Sequence, residues 1–179
     1  MTTLSKIKWV ASILLVFAIV LTTNLIDKNN FNRLRYSVTT IYEDRIVAND
    51  LIFEMSILIQ EKEIAVALSD SSFFRERNED INLEIQGLIT RYEQTKLTRQ
   101  EQKVFNDFKN GLNDLKSLEQ EYVRSGFQSS NKVFEKIDEI IHHLYDLSKI
   151  QLHEGRRQVM ISNETMEDID IFTQGETIF

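Results

Sequence analysis

The 179-residue chain has no cysteine, no proline and only five glycines. Without cysteine there is no disulfide scaffold, zinc finger, iron–sulfur cluster, thiol nucleophile or covalently attached haem. Proline averages about 5% of residues in ordinary proteins. Its absence, with so little glycine, argues against sandwiches and barrels built on many tight turns. No Gly-rich phosphate loop is present, and no nucleophile, base and acid can be assembled into a set. The expectation is a non-enzymatic, all-α protein that needs no cofactor. Charged residues make up 27% and hydrophobic residues 42%, which excludes wholesale disorder.

Charge is unevenly placed. The net charge is −7, and Lys6 and Lys8 are the only charged side chains before Asp27, so the remainder carries −9. Nucleic acid is excluded as a partner, because phosphate contact needs clustered Lys and Arg. From Trp9 to Ile26 runs an uncharged stretch, WVASILLVFAIVLTTNLI. Crossing a bilayer takes roughly 17–25 mostly apolar residues. A cleaved signal peptide would need small residues before the cut, and none of the candidates after Ala18 forms an A-x-A-like site. The stretch is therefore read as an uncleaved anchor over residues 9–26, behind a cytoplasmic tail of residues 1–8. The positive-inside rule predicts a single-pass protein of the inner membrane, its N-terminus cytoplasmic and its acidic part outside.

Beyond the anchor the apolar residues follow helical spacing. Steps of three and four from Phe31 give Leu34, Val38, Ile41, Arg45, Ala48, Ile52, Met55, Ile59, Lys62, Val66 and Ser69. Most are apolar, as in a coiled-coil seam. After residue 50 Leu51, Leu58 and Ala65 widen the stripe to a bundle core. One helix is predicted from about 27 to 68, continuous with the anchor. Ser69-Asp70-Ser71-Ser72 is a turn and cap cluster. A second helix follows over about 72–95, with Phe74, Ile81, Ile85, Leu88 and Tyr92 inward. Thr98-Arg99-Gln100-Glu101 fits a capping box and opens a third helix over about 99–124, with Phe105, Phe108, Leu112, Leu115 and Tyr122 inward. Gly126 closes it. Ser129, Ser130 or Asn131 caps a fourth helix over about 131–172. Its apolar face carries Val133, Phe134, Ile137, Ile140, Ile141, Leu144 and Leu147. The predicted architecture is an up-down-up-down antiparallel four-helix bundle over 27–173, with a C-terminal tail of 174–179. At about 1.5 Å per residue, the first and fourth helices reach roughly 60 Å and the middle two roughly 35–40 Å. Near the membrane only two helices would remain, a stalk that a second copy of the chain could complete.

Several residues carry a resemblance. Ile41-Tyr42-Glu43-Asp44-Arg45-Ile46-Val47 lies near the start of the first long helix. Leu97-Thr98-x-x-Glu101 opens the third, and Leu144-x-x-Leu147-x-x-x-Gln151 lies in the fourth. With the short tail and apolar helix ahead of them, they resemble the extracytoplasmic four-helix-bundle sensory module of methyl-accepting chemotaxis receptors. The resemblance covers about residues 5 to 172. It implies a membrane-anchored sensory module for signal transduction, working as a homodimer and taking a small anionic or amino-acid-like ligand. Ala48-Asn49 stand where the family usually has proline. The family also continues into a second transmembrane helix and a cytoplasmic signalling part, which the residues after Phe172 do not resemble. The competing expectation is a structural bundle that scaffolds another membrane protein.

Candidate sites are few. Arg45 stands on the apolar seam, and a buried guanidinium must be paired or solvated. With Asp44 and Tyr42 it forms the candidate ligand-binding set, against the alternative of a structural ion pair. Glu139-Ile-Ile-His142 has the Glu-x-x-His form used by di-iron bundles. No second copy accompanies it, so no metal centre is expected. His153-Glu154-Gly155-Arg156-Arg157 faintly matches a phosphoacceptor histidine box, but lacks its proline and is read as a solvated face.

Overall fold

The structure is a computed structural model that describes residues 3–41, 45–128 and 130–176, with side-chain surroundings for 6–36, 41, 45–128 and 130–161. Among the described residues there is no strand, and six helices account for nearly everything. They form two units, residues 1–39 with 158–179 and residues 40–157.

The first unit contains most of α1 (Thr3–Ile41), which includes the apolar run. Its side chains from Lys6 to Leu25 are almost all exposed, and the span Lys6–Tyr36 is long and apolar enough to cross a membrane. The polar side chains along it bond back to their own helix. Ser12 Oγ donates to the Lys8 carbonyl at 2.9 Å, Thr22 Oγ1 to Ala18 at 2.8 Å and Asn24 Nδ2 to Val20 at 3.2 Å. Such bonds leave few polar groups for an apolar surround to strand.

The second unit is the bundle, built from α2 (Val47–Ala67), the short α3 (Ser71–Glu76), α4 (Asn78–Glu93), α5 (Arg99–Arg124) and α6 (Ser130–Glu176) as far as Arg157. The step-of-three-and-four seam on α2 is the buried one. Arg45, Ala48, Ile52, Met55, Ile59, Lys62 and Val66 are all buried, with Leu51, Leu58 and Ala65 beside them. Facing them are Ile81, Ile85, Leu88 and Tyr92 of α4, Phe105, Phe108, Leu115 and Tyr122 of α5, and Val133, Ile137, Ile140, Leu144 and Leu147 of α6. The α5–α6 contact is close. A Cβ on Gly111 would lie 3.1 Å from Ile140 Cγ1.

Turns follow the cap chemistry. Asp70 caps α3, accepting from the amides of Ser72 at 2.9 Å and Phe73 at 3.1 Å. Those bonds, with the Ser72 hydroxyl bond foremost, hold its carboxyl below the usual range. Thr98 and Glu101 form the reciprocal capping box of α5. Gly126 takes a left-handed φ of 68° after the α5 cap at Ser125. Phe127 is also left-handed, and its ring packs edge-on against Tyr122, centroids 5.2 Å apart.

One expectation changes. The helix expected over 72–95 is interrupted at Arg77, which separates α3 from α4. Phe73 is buried, and the expected inward residue Phe74 is half-buried and packs on the core against Phe73, Tyr122 and Phe127. The continuity expected over 27–68 falls, between α1 and α2, on residues 42–44, which are not described. Arg45 and Ile46 form a wider π-type turn leading into α2. Ser129, one of the three expected caps of the last helix, also lies outside them.

Candidate functional site

Among the described residues, two buried charged clusters interrupt the bundle's apolar core, both joining the α2 side to α5. The first sits where α2 begins. Arg45 Nη1 donates to Glu101 Oε1 at 2.8 Å and to Gln151 Oε1 at 3.0 Å. Gln151 Nε2 in turn donates to the Tyr92 hydroxyl at 3.0 Å. Four helical segments therefore meet in one network. Arg45 is 7% exposed, and Glu101, Gln151 and Tyr92 are sealed off. Glu101 serves twice, since its second carboxylate oxygen accepts from the Thr98 amide as the reciprocal arm of the capping box. Local helix-start chemistry thus fixes the carboxylate that receives the arginine. Burial pushes the Tyr92 phenol up to about 12, so it stays a neutral hydroxyl at physiological pH.

The second cluster lies toward the far end of α2. Lys62 Nζ donates to Glu119 Oε1 at 2.9 Å and Oε2 at 3.1 Å, and also to Asn78 Oδ1. Asn78 Nδ2 closes the triangle onto Glu119 Oε2 at 3.1 Å. The interruption at Arg77 makes Asn78 the first residue of α4. Arg77 itself bridges Glu61 of α2 and Glu84 of α4 on the surface. Burial lowers the Lys62 pKa and the Glu119 carboxylate opposes that shift. A carboxylate in contact with the ammonium offsets part of the cost of burying it.

The pairs share one geometric rule. Arg45 meets Glu101, Lys62 meets Glu119, and Val66 accepts from the Tyr122 hydroxyl at 3.1 Å. Numbers rise together on both helices, so α2 and α5 run parallel. Between the two pairs α2 advances about 26 Å and α5 about 27 Å at about 1.5 Å per residue. A slip of one helix past the other would separate both pairs at once.

Of the residues singled out from sequence, Arg45 is placed in the first cluster, its carboxylate partner coming from the same chain. Asp44 and Tyr42 lie outside the described residues. His142 is exposed, bonded through Nδ1 to the Asp138 carbonyl at 2.8 Å. Among the described residues no group of three or more His, Cys, Asp or Glu could hold a metal ion. Sequence reasoning missed Glu119 and Asn78, and took Glu101 only as a cap. The signal was present. Continuing steps of three and four from Glu101 gives Phe105, Phe108, Leu112, Leu115, Glu119 and Tyr122, which places both glutamates on the inward stripe of α5. Gln151 follows Leu144 and Leu147 on α6 by the same stepping.

The family described as a four helix bundle sensory module for signal transduction matches residues 1–131. No curated protein and no solved structure matches the chain.

Proposed function

From its place among the four helix bundle sensory modules for signal transduction, the family to which this chain belongs, we propose that it is the extracytoplasmic input module of a chemoreceptor-type sensor. It is anchored in the inner membrane by α1 with its N-terminus in the cytoplasm, works as a homodimer and responds to a small anionic or amino-acid-like molecule. Lys6 and Lys8 ahead of an exposed apolar helix support the anchor and its direction.

The observation that carries the reading is on the outer face of α2. Ile46, Phe53, Ile57, Ile64 and Leu68 are 47% to 72% exposed, at spacings of seven and four along one side of the helix. Tyr145 and Leu152 repeat at seven on α6, a neighbour through the Ser148–Asn49 bond of 2.8 Å. Soluble monomers rarely leave such a stripe open. Its near-heptad spacing suits a second copy of the same helix. Arg45, in this reading, holds α2, α5 and α6 in one arrangement, so that whatever the bundle senses moves them together.

A chain without cysteine makes the test direct. Ile57→Cys placed in the full chain in its native membrane should form a disulfide-linked dimer under mild oxidation. Gln120→Cys, exposed on α5, should not. Failure of Ile57→Cys and of Phe53→Cys to cross-link would overturn the homodimer.

A further inference from the structure

The cleft between α4 and α5, beside the Lys62–Glu119 pair, is a site that the family match does not assign. It is partly open to solvent and has a volume of about 210 Å³. That is below the roughly 300–1,000 Å³ typical for drug-sized ligands, so an occupant must be small. Its apolar lining comes from Ile85 and Ile89 of α4 and Leu112 and Leu115 of α5. Asn82, Gln86 and Asn113 add side-chain amides that donate and accept.

The charges of the lining balance. Lys62 and Lys116 oppose Glu79 and Glu119. Lys62 and Glu119 are buried and fixed on each other and on Asn78. Glu79 and Lys116 are different. They are paired at 3.3 Å, but both are more than half exposed. Exposed pairs hold little net energy, so this one can open and exchange partners at small cost. Asn82 Nδ2 donates to Glu79 Oε2 at 3.1 Å, and both residues line the cleft. Bonds from Asn82 and Lys116 also hold the Glu79 carboxyl below its usual range, so it is charged at neutral pH.

We infer that this cleft binds a small zwitterion, its ammonium end taken by Glu79, its anionic end by Lys116, and its short apolar body laid on Ile85, Ile89 and Leu112. An anion or a cation alone would leave one of two adjacent opposite charges unanswered. A zwitterion whose charges lie a few ångströms apart answers both by replacing each as the other's partner. The buried pair behind the mouth couples occupancy to the bundle. It joins α2, α4 and α5 through Lys62, Asn78 and Glu119, so an occupant that shifts α4 against α5 acts on the element that sets the register of α2.

The inference takes its purpose from the sensory reading above, but binding can be measured without it. The probes are alanine, serine, γ-aminobutyrate and taurine, with propionate and propylamine as single-charge counterparts. Each is titrated calorimetrically into the full chain in lipid nanodiscs. At least one zwitterion should bind saturably, and neither single-charge counterpart should. Glu79→Gln and Lys116→Met, both surface changes, should each weaken that binding tenfold or more, while Gln120→Ala leaves it unchanged. The inference is overturned if no zwitterion binds, if propionate or propylamine binds as well, or if neither cleft variant weakens binding. Saturable binding to a chain that fails to cross-link would leave the site standing and remove the dimeric sensor. Cross-linking without binding would do the reverse.

Discussion

The Lys62 ammonium lies 2.9 Å from one carboxylate oxygen of Glu119 and 3.1 Å from the other, with both side chains sealed inside the bundle. Neither residue can be removed alone without stranding the other. Lys62→Ala should therefore destabilise the full chain by about 3–5 kcal/mol, the usual cost of leaving a buried charge unpaired. The double change Lys62→Met with Glu119→Leu should recover most of that loss, because well-packed apolar residues often replace a buried pair without cost. Thermal melts of the three proteins in one detergent check this. A single variant as stable as the parent would mean that the pair is open to water.

Arg45 makes the matching case at the other end. Arg45→Met leaves Glu101 facing apolar neighbours and Gln151 without its donor, and should cost about 3 kcal/mol or more. Arg45→Met with Glu101→Gln should be milder, since the amide can still accept from Thr98 and bond Gln151. A surface arginine would cost less than about 0.5 kcal/mol. A melt of Arg45→Met within that margin would contradict the placement of Arg45 in the core.

Alkaline pH offers a test of the hydroxyl that ends this network. The folded Tyr92 pKa is raised from 10.0 to about 12. A raised pKa means that the folded state holds the proton more tightly. Its contribution is whole below pH 10 and is lost as pH climbs from 10 to 12, by about 2–3 kcal/mol in all. Lys62, whose folded pKa is lowered, contributes in the opposite direction as pH approaches 10.5, so the useful quantity is a difference between variants. Tyr92→Phe should start lower, having lost the Gln151 bond, and should then decline less steeply than the parent above pH 10. Parallel declines would show that Tyr92 ionises as if exposed.

Gly111 reports on packing rather than charge. A Cβ there meets Ile140, which is fully buried. Gly111→Ala gains about 1 kcal/mol of helix propensity, which offsets the small shift demanded of Ile140, and should be near neutral. Gly111→Leu has no room and should cost about 2–3 kcal/mol. Equal melting temperatures for both would show that α5 and α6 stand further apart.

The helices were legible because their signals are local and repeated. The α2 seam from Arg45 to Val66, the Thr98–Glu101 box and Gly126 each announce themselves within a few residues. The interruption at Arg77 was not legible, because nothing in Phe74-Arg75-Glu76-Arg77-Asn78 disfavours a helix. It is tied to long-range bonds, from Asn78 to Lys62 and Glu119 and from Arg77 to Glu61 and Glu84. The charged clusters were half legible. Lys62 and Arg45 sit visibly on an apolar seam, but which acids meet them depends on the parallel register of α2 and α5, which no short stretch encodes. Glu101 was hidden by its own local role, since a capping glutamate already has a sufficient reason to be there.

The proposed role as a sensory input module requires the bundle to stand outside the membrane that α1 is proposed to cross. A single cysteine at Gln120, exposed on α5 and unique in a chain with no other cysteine, reports this directly. Intact cells carrying Gln120→Cys are treated with a membrane-impermeant maleimide, and the chain is then isolated and its label quantified. The predicted result is labelling of intact cells equal to that of lysed cells. Labelling only after lysis would place the bundle in the cytoplasm and contradict the extracytoplasmic reading.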